Sequence, residues 1–155
     1  TEQLYDGLAD EEAFYHIPYH RLRHPFVFYT AHSAALYDNK FHQAGLIKEK
    51  VNSEFASLFE AGVDEMSWDN LHDHDPSVWP AFEKVQEYRE QVHSMVTDII
   101  EHHPCLDGER NMENEQFWAV VMGFEHDKIH METSSVLIRE MPLSKVKEPI
   151  IFFYL

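Results

Sequence analysis

Residues 78–103 read VWPAFEKVQEYREQVHSMVTDIIEHH, and within them Phe82, Val85, Arg89, Val92, Val96 and Ile99 recur at spacings of three and four. That is the period of a single buried stripe on an α-helix. Pro104 closes the stretch, because proline has no N–H to donate and its ring blocks the next turn. Working outward, residues 26–46 read FVFYTAHSAALYDNKFHQAGL. Pro25 can open this helix, since its missing N–H is one that a first turn leaves unpaired anyway. Gly45 is a plausible stop. Phe28, His32, Ala35 and Leu36 share one face of it, which puts His32 on an apolar, inward stripe.

Two further segments complete the pattern. Asn52 or Ser53 can cap a short helix through Phe59, ending near Gly62. A last helix is predicted from Asn114, in an Asn-Glu-Gln-Phe start with an acidic first turn, to Met141 before Pro142. Phe117, Val120, Val121, Phe124, Val136 and Leu137 are its expected apolar contacts. The stretch from Val63 to Ser77 is acidic and turn-rich and reads as a long connection. His72 and His74 alternate with aspartates there, as in a solvated loop. Gly and Pro are sparse, and no strand or internal repeat stands out. The expected fold is all-α, a four-helix bundle over residues 25–142. A lead-in (1–24) precedes it and a tail (143–155) follows. The tail ends in six apolar residues, Ile150 to Leu155, which are expected to dock on the bundle or on a protein partner.

Composition narrows the function classes. At 155 residues, 44% apolar and 14% aromatic, the chain has the material for one packed domain. Its net charge of -16 opposes binding to a nucleic-acid backbone or an anionic membrane. No apolar run approaches the ~18 residues of a membrane span. Cys105 is the single cysteine, so no internal disulfide forms, and it reads as an incidental loop thiol.

The chemistry lies in His126-Asp-Lys-Ile-His130-Met-Glu132. Histidines four apart stand one turn above each other, so both imidazoles can reach one metal ion. With 12 histidines in the chain some such pairs arise by chance, but the inward-facing His32 offers a third ligand from another helix. Three histidines make a neutral shell that leaves the metal's charge intact. Imidazole suits zinc, iron, nickel and copper alike. Zinc would favour hydrolysis or hydration, and iron would favour oxygen chemistry with a thiolate substrate. Glu132 cannot share the face of His130 and is expected to hydrogen-bond behind the ligands or to form an ion pair. Glu125 and Asp127 read as solvated helix charges.

Several stretches resemble one family. His24-Pro25 followed by Phe-Tyr-x-Ala-His32-Ser, GLIKEKVNSEFASLFEAGVDEMSWDNL from Gly45, and EHDKIHMETSSVLIRE from Glu125 are similar to the N-terminal domain of ovothiol-type sulfoxide synthases. These are 5-histidylcysteine sulfoxide synthases, relatives of the ergothioneine synthases. The likeness covers about residues 10 to 142. It implies a DinB-like four-helix bundle in which His32, His126 and His130 hold nonheme Fe(II), with zinc or nickel as the other metals to consider. It also implies O2 as co-substrate and a thiol and histidine as substrates, cysteine sulfur being joined to the imidazole ring as a sulfoxide. Tyr88-Arg89-Glu-Gln-Val92 resembles a stretch whose arginine holds the thiol substrate's carboxylate, which makes Arg89 the candidate anchor; an ordinary ion pair is the plain alternative. Gln86 stands where the ergothioneine relatives have a second arginine, and this fits a smaller thiol such as cysteine. The family's second, formylglycine-enzyme-like domain does not follow in this sequence. A structural or accessory subunit, and a stand-alone DinB-type thiol transferase, are therefore the alternatives.

Overall fold

The computed structural model describes residues 2–20, 23–60, 78–104 and 116–148. Helices α1 (Glu2–Tyr5) and α2 (Glu11–Phe14) are single turns, followed by α3 (Phe26–Gln43), α4 (Ser53–Leu58), α5 (Phe82–His102) and α6 (Phe117–Glu140). A 3₁₀ turn at Leu143–Lys145 follows. Among the described residues the structure is all-α, with one isolated bridge between Leu8 and Val146. None of the described helices is long and apolar enough to cross a membrane.

Helix α3 is the centre of the bundle: α4, α5 and α6 all pack on it. It is buried on every side rather than along one stripe, every residue from Phe26 to His32 being buried. Its end is the one the glycine foretold. Gly45 has φ +71°, the amide of Leu46 donates to Phe41 O (2.9 Å), and that of Gly45 donates to His42 O (3.1 Å). The pattern is a Schellman motif, which pairs the last carbonyls and buries Leu46. In α5 the predicted stripe is present, with Val85, Val92 and Ile99 buried and Tyr88 joining them. The helix begins at Phe82 instead of Val78 because Pro80 biases Trp79 out of the helical region. The Pro80 carbonyl is instead used by the Tyr15 hydroxyl, at 2.8 Å.

The last helix departs further from expectation. It starts at Phe117, with Gln116 at the N-cap making no side-chain cap bond. Asn114 lies outside the described residues, as do His72, His74, Cys105 and Ile150 to Leu155. Phe124 and Val136, expected in the core, are exposed. Val120 and Leu137 are buried as expected, and the rest of the buried seam of α6 is Ala119, Gly123, His130 and Ser134, small or polar residues that let α6 approach α3 closely. At Gly123 an added methyl group would run into the Tyr37 ring. The lead-in contributes Tyr5, Leu8 and Phe14 to the same core. It is tied to the segment after α6 by Ala9 N–H to Lys145 O (3.0 Å) and Lys147 N–H to Gly7 O (2.8 Å).

Asp38 joins three parts of the bundle. Its side chain is fully buried, with Oδ1 accepting from Val51 N–H (2.8 Å) and Oδ2 from Asn52 N–H (3.2 Å) and the Tyr88 hydroxyl (3.1 Å). Removing the carboxylate strands three donors in the interior. Asp38→Ala is expected to cost about 3 kcal/mol, read as a lower urea midpoint at unchanged slope. Gly123→Ala, which forces the Tyr37 ring off α6, is expected to cost about 1–3 kcal/mol in the same measurement.

Candidate metal centre

The structure brings His32, His126 and His130 together, with one ring nitrogen from each within 4.8 Å of the others. His32 comes from the middle of α3, and the other two from successive turns of α6. His32 and His130 are buried, and Phe28 stacks on the His32 ring at 5.0 Å and 22°. His32 Nδ1 lies 2.6 Å from the Phe59 carbonyl. A carbonyl only accepts, so Nδ1 carries the proton and Nε2 presents its lone pair to the cluster.

That lone pair faces His126 Nε2 at 3.1 Å. Around one ion, with metal–nitrogen bonds of about 2.0–2.1 Å, adjacent ligands stand about 2.8–3.4 Å apart for angles between square and tetrahedral. The observed spacing falls inside that window. The hydrogen bonding of the metal-free cluster is incomplete, because Nδ1 of both His126 and His130 is buried without a partner. If His126 protonates Nε2 to bond His32, its Nδ1 is a stranded acceptor; if it protonates Nδ1, two lone pairs face each other. A cation between the rings relieves the second arrangement. The residues therefore fit a metal of the kind that imidazole binds.

Electrostatics keep the rings ready to ligate. Burial, then the neighbouring His130 and His32, lowers His126 from 6.5 to about 3. Burial, then His32 and the Arg23 guanidinium, lowers His130 to about 4. Burial also lowers His32, against the opposing pull of the Phe59 carbonyl and the Asp127 carboxylate. All three are neutral at neutral pH, which is the form that binds metal.

Glu132 is exposed on α6, and Glu125 is an exposed partner of Lys128 (2.6 Å), as a solvated charge would be. Asp127 corrects the expectation that it is a solvated charge. Its Oδ1 is buried without a partner and its Oδ2 accepts from the Tyr37 hydroxyl at 3.4 Å. Burial, and then Asp127, raises the Tyr37 phenol far above its usual value, so it stays a protonated donor. Asp127 follows His126 and precedes His130 by three, so it stands beside the histidine face, turned towards the cavity that it lines.

Asp127, Tyr37, Ser33, Tyr29 and Arg89 line a cavity of about 510 Å³ between α3, α5 and α6. Arg89 is half-buried, and its Nη1 donates to Gln86 Oε1 at 2.8 Å, so Gln86 braces the guanidinium. None of the three histidines lines the cavity. Tyr29 spans the gap, on the cavity wall and with its ring centroid 5.9 Å from that of His130. Sequence reasoning missed Tyr29, Ser33 and Tyr37. Their spacing of four is the available signal, a polar face beside the one that carries His32.

The lowered imidazole values set a direction for stability. In the unfolded chain the rings take up protons near pH 6.5, whereas in the folded chain they resist until about 4 and 3. Stability of the metal-free chain is thus full above pH 6.5 and falls as the pH drops through 4 towards 3. Chemical denaturation at stepped pH checks this, and His126→Ala should flatten the slope.

No family model matches the chain. Over 118 residues the sequence is 28% identical to ergothioneine biosynthesis protein 1 of Neurospora crassa, an alignment covering 73% of this chain and 13% of that protein. The chain spans a small fraction of that relative's length and is similar to one segment of it.

Proposed function

We propose that this chain is the metal-binding domain of a sulfoxide synthase of the ergothioneine and ovothiol type. His32, His126 and His130 are its ligands, and Fe(II) is the metal that such chemistry calls for. The observation that carries the reading is the convergence of three neutral imidazoles from two helices, two of them 3.1 Å apart through Nε2. The similarity to an ergothioneine biosynthesis protein supports it at the level of the family. When bound, iron supplies the oxidative joining of a thiol sulfur to the imidazole carbon of histidine, with O2 as the oxidant.

The chain's own residues do the positioning. Phe59 O fixes the His32 tautomer, and Phe28 fixes the plane of its ring. Arg89, braced by Gln86, offers a planar fork for a substrate carboxylate. Tyr29 stands between the cavity and His130, so a substrate seated in the cavity lies one side chain away from the histidine cluster.

One observation favours covering by a further domain or partner. Met122, Ile129 and Val136, seven apart, expose an apolar line along α6. The accessory-subunit reading uses the same line without the chemistry.

Metal analysis of the anaerobically purified chain decides between them. Iron near one per chain, with a change in its spectrum on adding cysteine, is the expected result. His126→Ala is expected to lose the metal while keeping its helical signal. Absence of metal from the parent chain, with or without cysteine, would leave the accessory reading standing.

A further inference from the structure

We propose that the cavity between α3, α5 and α6 binds the primary ammonium group of an amino-acid ligand, with Asp127 as its counter-ion and Ser33 and Tyr37 completing the polar end. The ligand class rests on the functional reading above, in which both substrates are amino acids; the site itself is argued from the cavity.

The Asp127 carboxylate is half-buried and poorly satisfied. A carboxylate has about four lone-pair positions, and here the Tyr37 hydroxyl meets one oxygen at a long 3.4 Å while the other is buried without a partner. Ser33 Oγ, on the same wall, is likewise buried without a partner. Buried polar groups left in this state are costly, and a carboxylate beside a hydroxyl calls for a cationic donor with more than one N–H. A primary ammonium has three, arranged to reach several acceptors at once.

The rest of the cavity suits the remainder of such a ligand. Arg89 supplies a positive charge on its lining, so the cavity carries the two charges of a zwitterion. Val92, Val96 and Phe124 make an apolar wall for a side chain. A volume of about 510 Å³ lies within the range of small-molecule pockets, about 300–1,000 Å³. The carboxylate is also held in place by design of the backbone. Gly123, one turn before it, lets the Tyr37 ring lie against α6 so that its hydroxyl reaches Asp127.

The test compares ligands that differ only in the ammonium: cysteine against 3-mercaptopropionate, and histidine against imidazolepropionate. Each is titrated into the 155-residue chain after metal removal and followed by backbone amide chemical shifts. The parent chain is expected to prefer the amine-bearing member of each pair by about tenfold. Asp127→Asn should reduce that preference to within about twofold, and Tyr37→Phe should lower it in the same direction. Metal content is measured on each variant as purified, before the metal is removed for the titration, and should be unchanged in Asp127→Asn. If the parent shows no preference for the amine, or Asp127→Asn keeps it, the proposal fails. It fails equally if Asp127→Asn loses metal but keeps the preference, since Asp127 would then serve the ion. Absence of metal from every variant would count against the synthase reading alone and leave the ammonium site standing.

Discussion

The setting of His32 depends on a buried carboxylate that never touches it. Asp38 takes the amides of Val51 and Asn52 and the Tyr88 hydroxyl, which pins the chain entering α4 and ties α5 to α3. Asn52, so held, caps α4 by accepting from the amides of Glu54 and Phe55 (both 3.1 Å). Asn39 adds a bond to the Ala56 carbonyl at 2.9 Å. The six-residue helix α4 is too short to hold a direction by itself. Clamped at its start and middle, it ends with the Phe59 carbonyl set against His32 Nδ1. The tautomer of one imidazole is therefore decided by a chain of hydrogen bonds that begins six residues further along the same helix.

Helix α6 meets a different constraint. It must present two histidines to α3 at close range, and bulky apolar side chains on that seam would hold the helices apart. Its buried positions are accordingly Ala119, Gly123 and Ser134 around His130, and several of its large residues face outward. Ser134 is fully buried and lies 3.4 Å from the Tyr5 hydroxyl, so the lead-in segment closes the end of the seam. This arrangement gives up some apolar burial on α6 in exchange for close helix approach, and α3 makes up for it by burying residues on all its sides.

These two constraints explain what could be read from the sequence. Helix α5 was legible because its stripe is large, apolar and periodic, and α3 was bounded correctly by proline and glycine, whose backbone effects are local. That His32, His126 and His130 come together was legible from the four-residue spacing on α6 and from the apolar face on which His32 lies in α3. The register of α6 was not, since a seam of Ala, Gly, Ser and His carries almost no hydrophobic signal, and Phe124 and Val136 looked like core. Asp127 was misread for a related reason. A charged residue between two histidines looks solvated by default, and only the approach of Tyr37 over Gly123 buries it. The start of α5 shifted because Pro80 acts on its predecessor, an effect that periodicity ignores.

The charge pattern around the cluster follows from the same packing. The chain carries a net charge of -16, yet the three imidazoles are neutral, two of them buried and His126 half-buried, so this charge is not at the cluster itself. The charges that act on them are few and opposed: Arg23 lowers His130, and Asp127 raises His32. A divalent ion held by three neutral rings keeps its full charge, which favours capture of an anionic ligand such as a thiolate in the remaining positions. In the same core, Asp127 faces the opposite demand and needs a cation. Tyr29 stands between the two, on the cavity wall and beside His130, so the packing keeps the neutral rings and the unsatisfied carboxylate on opposite sides of one side chain.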